Sequence, residues 1–122
     1  MKQIIQSGKP AYGVSVQFPS PEIVEMIGEL NFDWVMLDAE HGSITADNIG
    51  PMIMAAEIRG LTPIVRPENN DPSVINKYLD RGAMGVQVPH INTADEARAV
   101  VDACLYHPQG MRGLGGGRMA DF

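Results

Sequence analysis

Two acids, an imidazole and a guanidinium stand where an α/β protein could use them. Asp38, Glu40 and His41 lie in the run Asp38-Ala39-Glu40-His41-Gly42, directly after the apolar residues Trp34-Val35-Met36-Leu37. A compact apolar run of this kind reads as a buried parallel strand. In parallel α/β folds, active sites are built at the carboxyl ends of the strands. A second run, Thr62-Pro63-Ile64-Val65, delivers Arg66 in the same way. An imidazole with an ordinary pKa of about 6.5 suits proton transfer at neutral pH. A guanidinium can grip a carboxylate with two hydrogen bonds and steady a developing enolate oxygen. The set points to acid/base chemistry on a small anionic substrate.

Each residue also has a plainer reading. His41 is the leading acid/base candidate, against a loop histidine bonded only to backbone. Asp38 either orients His41 or caps the turn that follows. Glu40 either supports a metal's ligands from behind or is only a turn residue, and the sequence leaves both open. Arg66 is read as a substrate-binding group, against a surface ion pair. Asp80 sits near the negative end of its helix, where an acid is mildly unfavourable, and that end lies opposite His41. A part for Asp80 in catalysis would therefore be played in a neighbouring subunit. His90 and His107 read as structural, and the methionines as core filler.

The elements needed to position these groups alternate strand and helix at a pitch of roughly two dozen residues. A first strand is expected over 11–17. Ser20 then caps a helix with Pro21 in its first turn, and Ile23, Val24, Ile27 and Leu30 form its apolar stripe. The second strand is 34–38. A helix is expected over 45–59, burying Ile49, Met52, Ile53 and Ala56 and stopped by Gly60. The third strand is 61–65, and Asp71-Pro72 opens a helix that Gly82 ends. The fourth strand is 85–89. Thr93-Ala94-Asp95-Glu96 is a capping box for a helix ending before Pro108. Residues 110–122 are glycine-rich and read as a loop. Their glycines do not fit a nucleotide-binding pattern: Arg118 falls where a dinucleotide fingerprint needs its third glycine. Four βα units make half of an eightfold barrel or a small open sheet. Half a barrel would leave Val35, Leu37, Val86 and Val88 uncovered.

The chain has 122 residues, with 44% hydrophobic and 20% charged residues, as expected of a globular protein. A net charge of -6 argues against nucleic acid or an anionic membrane as partner. No run approaches the roughly 20 apolar residues of a membrane span. Residues 1–20 lack the apolar core of a signal peptide. The single Cys104 can form no internal disulfide, which fits a reducing cytoplasm. The final segment, 118–122, has neither cap nor helix stop, so the chain is expected to be interrupted there.

Several segments in order resemble the HpcH/HpaI aldolases, the metal-dependent class II pyruvate aldolases. They are Phe32-Asp33-Trp34 leading to Asp38-Ala39-Glu40-His41-Gly42, Val65-Arg66-Pro67, Asn70-Asp71-Pro72, Leu79-Asp80-Arg81-Gly82-Ala83, Val88-Pro89, Ala94-Asp95-Glu96-Ala97-Arg98, and His107-Pro108 through Gly110-Met111-Arg112-Gly113. The resemblance implies a (β/α)8 barrel of which residues 1–122 form the N-terminal half, and an oligomer, commonly a hexamer. It implies cleavage of 4-hydroxy-2-oxo acids to pyruvate and an aldehyde. His41 with Asp38 would be the acid/base dyad, Arg66 would bind the pyruvate part, and Asp80 would match an acid near the site. The family's divalent metal, Mg, Mn or Co, is held by a Glu and an Asp on later strands, expected beyond Phe122. No metal ligand is therefore expected within the chain. The alternatives are a catalytically incomplete, oligomerising half-barrel, or a related lyase of citramalyl or malyl thioesters.

Overall fold

A computed structural model describes residues 1–116 and 118. The element order is α1 (Lys2–Gln6), β1 (Gly13–Val16), α2 (Pro21–Glu29), β2 (Trp34–Asp38), α3 (Gly50–Ile58), β3 (Thr62–Arg66), α4 (Pro72–Asp80), β4 (Gly85–Val86) and α5 (Ala94–Cys104). The strands form one sheet in the order β1-β2-β3-β4, every pair parallel. A doubly wound sheet reverses its strand order partway. Here each strand lies beside its predecessor, as in a (β/α)8 barrel, and the first four βα units of that fold are present.

Local chemistry accounts for the helix starts. Ser20 accepts a hydrogen bond from the Ile23 N–H, with Pro21 at the first helical position. Asp71 does the same for Ser73 ahead of Pro72. Thr93 and Glu96 form a full capping box. The helix expected over 45–59 begins only at Gly50. Residues 45–49 instead form a turn, in which the Thr45 N–H donates to Asn48 Oδ1 (2.8 Å) and Asn48 Nδ2 donates to the Ser43 carbonyl (3.0 Å). An asparagine side chain that satisfies the backbone in this way competes with a helix. The expected buried face survives: Ile49, Met52, Ile53 and Ala56 are fully buried. The outer strands are shorter than expected, while the third extends to include Arg66. Leu30, expected on the buried stripe of α2, is exposed. Met52 is core, but Met26, Met54, Met84 and Met111 are exposed.

Successive side chains on a strand point to opposite faces. Val16, Val35, Leu37, Pro63 and Val65 are buried on the face that the helices cover. This corrects the expectation for Val35 and Leu37, which are fully buried, while Val86 and Val88 pack partly against the core. The other face carries Trp34, Met36, Thr62 and Ile64, all part-exposed. Asp38 and Arg66 continue this second set. Of the glycine-rich tail, 110–116 runs as loop with a single bridge between Tyr106 and Arg112. Gly117 and 119–122 lie outside the described residues.

Candidate active site

The register of β2 on β3 sets Asp38 directly beside Arg66 at the carboxyl ends of both strands. Both belong to the face the helices leave open. Asp38 is nevertheless fully buried, because five donors close over it. Its Oδ1 accepts from Arg66 Nε (2.9 Å) and from the N–H groups of Glu40 (3.1 Å) and His41 (3.2 Å). Its Oδ2 accepts from Arg66 Nη2 (2.5 Å) and Gln17 Nε2 (3.1 Å). Arg66 above all, then the backbone and Gln17 donors, hold this carboxyl well below the usual carboxylate range against the opposing effect of burial. The same bonds push the Arg66 pKa up. Arg66 keeps 21% of its side chain exposed, so a buried anion presents a permanent cation to the open face.

The loop after β2 folds back onto β1. The Ser43 N–H donates to the Gln17 carbonyl (2.8 Å), and the Ala39 N–H to the Arg66 carbonyl (2.9 Å). Gly42 makes this approach possible, since a Cβ there would sit 2.0 Å from the Gln17 oxygen. The fold-back brings Glu40 and His41 over the Asp38–Arg66 pair. Glu40 Oε2 lies 3.3 Å from both Arg66 Nε and His41 Nδ1, and its Oε1 lies 3.1 Å from His90 Nε2.

His41 and Arg66 thus share one rim. Asp38 contacts His41 through backbone, with its carboxylate 3.9 Å from the imidazole, so the nearer acid to the ring is Glu40. Glu40, left open between a metal-supporting and a turn role, lies among the side chains of His41, Arg66 and His90. Asp80 is not brought to this cluster. It ends α4, at the opposite end of the sheet from Arg66, and accepts from Arg112 Nη2 (3.0 Å). Gln17, which the sequence did not single out, and His90, which it read as structural, both lie in the cluster. Both follow a strand at its carboxyl end, the position that drew attention to His41 and Arg66.

Asp38, Glu40 and His41 offer ligand atoms within 4.8 Å of one another. They do not fit a cation. Both oxygens of Asp38 already hold a guanidinium, and both oxygens of Glu40 face basic groups. A divalent ion placed among them would meet Arg66 at contact distance. A separate groove on the outer side of α2 is lined by Glu22, Glu25, Met26, Glu29, Leu30 and Arg59. It holds no histidine, and Glu25 and Glu29 pair with Arg59, so it offers no comparable acid/base set.

Known proteins share this arrangement of sequence and fold. The chain is 39% identical over 108 residues to a hydroxypyruvate/pyruvate aldolase of Rhizorhabdus wittichii, covering 88% of this chain and 43% of that protein. It is 34% identical to a 4-hydroxy-2-oxo-heptane-1,7-dioate aldolase of Salmonella arizonae, over 93% of this chain and 43% of that one. The crystal structure of an HpcH/HpaI aldolase from Desulfitobacterium hafniense superposes with a TM-score of 0.92 at 30% identity, over 100% of this chain and 48% of that one. The citrate synthase SbnG superposes with a TM-score of 0.87 at 34% identity, over 93% of this chain and 46% of that one. The chain thus spans less than half the length of these relatives. With residues 12–119 matching the model of the HpcH/HpaI aldolase/citrate lyase family, the chain belongs to that family.

Proposed function

We propose that the protein carrying this chain is a carbon–carbon lyase that cleaves a 4-hydroxy-2-oxo acid to pyruvate and an aldehyde, with residues 1–122 supplying the first half of its barrel. The observation that carries this reading is the Arg66 guanidinium, held by buried Asp38 on the open face beside His41. His41 takes the proton of the C4 hydroxyl. The C4 oxygen becomes the aldehyde carbonyl as the C3–C4 bond breaks. The bonding pair passes to the C2 oxygen, giving the enolate of pyruvate. Arg66 offers its charge to that oxygen as the charge develops, and a proton returned to C3 completes pyruvate. The divalent cation implied by the resemblance, Mg, Mn or Co, would need carboxylates other than Asp38 and Glu40, both of which are already engaged. The steps above use only this chain's groups. Asp80, exposed at the far rim, would act only in the site of a neighbouring subunit of a homo-oligomer.

The relatives named as aldolases support this reading. The test is pyruvate release from 4-hydroxy-2-oxo acids by the full-length protein. His41→Ala should lower the rate by roughly two to four orders of magnitude, the usual contribution of a positioned acid/base group. Wild-type turnover in that variant would remove His41 from its role. A second reading, a related lyase of citramalyl or malyl thioesters, is favoured by the likeness to a citrate synthase. It would show as thioester cleavage without release from any hydroxy-oxo acid.

A further inference from the structure

We propose that His90 is a positioning residue of this site, holding the Glu40 carboxylate so that its second oxygen faces His41 and Arg66; the proposal rests on His41 being the proton-transfer group. The two oxygens of Glu40 are divided between partners. Oε1 faces His90 at 3.1 Å, and Oε2 faces His41 and Arg66, each at 3.3 Å. The stronger bonds of Arg66 go to Asp38, so Glu40 has only a share of that guanidinium. The Glu40 side chain is only 13% exposed, so its carboxylate has little water to bond and its orientation depends on the polar groups packed around it. His90 Nε2 approaches Oε1 to 3.1 Å from the loop after β4, while His41 faces the other oxygen.

The backbone shows how His90 comes to be there. Its φ is +57°, in the left-handed region that a residue with a side chain rarely adopts. Two anchors hold the turn. Asn92 Nδ2 donates to the His90 carbonyl (3.3 Å), and the N–H groups of Asn92 and Thr93 both donate to Glu96 Oε2 (2.8 and 2.9 Å). The capping box of α5 therefore fixes the segment that carries His90. The imidazole in turn bridges the β4–α5 loop to the loop after β2. Without it, Oε1 loses its partner, the carboxylate turns about its terminal bonds, and His41 loses its nearest acid.

Two measurements test this. Imidazole nitrogen resonances should show the contact directly: Glu40→Gln should move the His90 signals and leave those of His107 in place. In the full-length protein, His90→Leu should lower kcat about 10- to 100-fold while KM for the hydroxy-oxo acid stays within about twofold. His90→Gln should recover most of the loss, because its amide can donate to Oε1 from a similar reach. Unmoved His90 resonances overturn the proposal, as does wild-type kcat in His90→Leu, or equal loss in the Leu and Gln variants. Absence of pyruvate release in the wild type would instead defeat the assigned reaction, and the resonance measurement then decides the Glu40–His90 contact by itself.

Discussion

The molecule holds two Asp–Arg pairs whose burial is reversed. At the carboxyl rim, Asp38 is fully buried and Arg66 is 21% exposed. At the far end of α4, Arg112 is only 4% exposed and Asp80 is 54% exposed. The first pair is bidentate, and the second is a single contact. Burying the acid turns the cation toward solvent, where a carboxylate or enolate can meet it. Burying the cation, with its guanidinium 4.8 Å from the Tyr106 ring centre, spends it on holding 106–112 against the domain. The same two residue types thus leave a guanidinium open to solvent at one end and make a brace at the other.

The sharpest way to break that contrast is one substitution made at both sites. Arg66→Met leaves the Asp38 charge buried with its principal partner gone, which should cost about 3–5 kcal/mol of stability. The aldol cleavage rate of the full-length protein should fall at least about 100-fold. Denaturant midpoints and pyruvate release measure the two losses. The pH dependence follows with its sign. The folded pKa of Asp38 is depressed, so its contribution is complete above the unfolded value of about 4 and is lost as pH falls through the folded value. The stability gap between wild type and Arg66→Met should therefore be steady above about pH 5 and narrow below about pH 4. A gap that widens in acid would contradict the pairing.

Next in size is the fold-back that seats His41. Gly42→Ala places a Cβ 2.0 Å from the Gln17 carbonyl, so backbone must move, at about 1–3 kcal/mol. His41 moves with it, and the rate should drop. Gly50→Ala is the matched control: nothing lies within 4 Å of its added Cβ, and its backbone is helical. It should be neutral or stabilise by up to about 1 kcal/mol. Equal behaviour of the two variants in thermal melts would show that the loop does not depend on that close approach.

Much of this was legible in the residue order, and the remainder has identifiable causes. Ser20-Pro21, Asp71-Pro72 and the Thr93–Glu96 box announce three helices because capping is a local matter. β2 shows as an unbroken apolar run, which also hides which face the helices cover. Val35 and Leu37 on one side are as apolar as Trp34 and Met36 on the other, so no alternation marks the buried set. The start of α3 is obscured because Asn48 satisfies the turn at 45–49 more effectively than a helix would. At the site, strand ends could be read, but the partners across loops could not. That Glu40 rather than Asp38 lies nearest the His41 ring depends on how the chain folds back at Gly42, and His90 reaches Glu40 from 50 residues further along the chain.

The smallest effect is expected at the second pair, and it carries the comparison furthest. Arg112→Met replaces a buried guanidinium by an apolar group of similar length. It removes one contact to an exposed carboxylate, of a kind that contributes about 0–1 kcal/mol, and the packing of the guanidinium on the Tyr106 ring, of a kind that contributes about 0.5–1 kcal/mol. It also removes an Nε that has no hydrogen-bond partner among the described residues, and relief of a buried unsatisfied donor offsets part of the loss. Stability should therefore change by less than about 1 kcal/mol, against the several expected for the same substitution at Arg66. Pyruvate release should be unaffected if Asp80 serves only Arg112. A fall in rate with stability preserved would mean that Asp80, once released from Arg112, no longer reaches a place it normally serves in a neighbouring subunit. Asp80→Asn should then reproduce the fall. In that case the second pair would be a positioning device as well as a brace, and the contrast between the two ends would lie in the subunit each one serves.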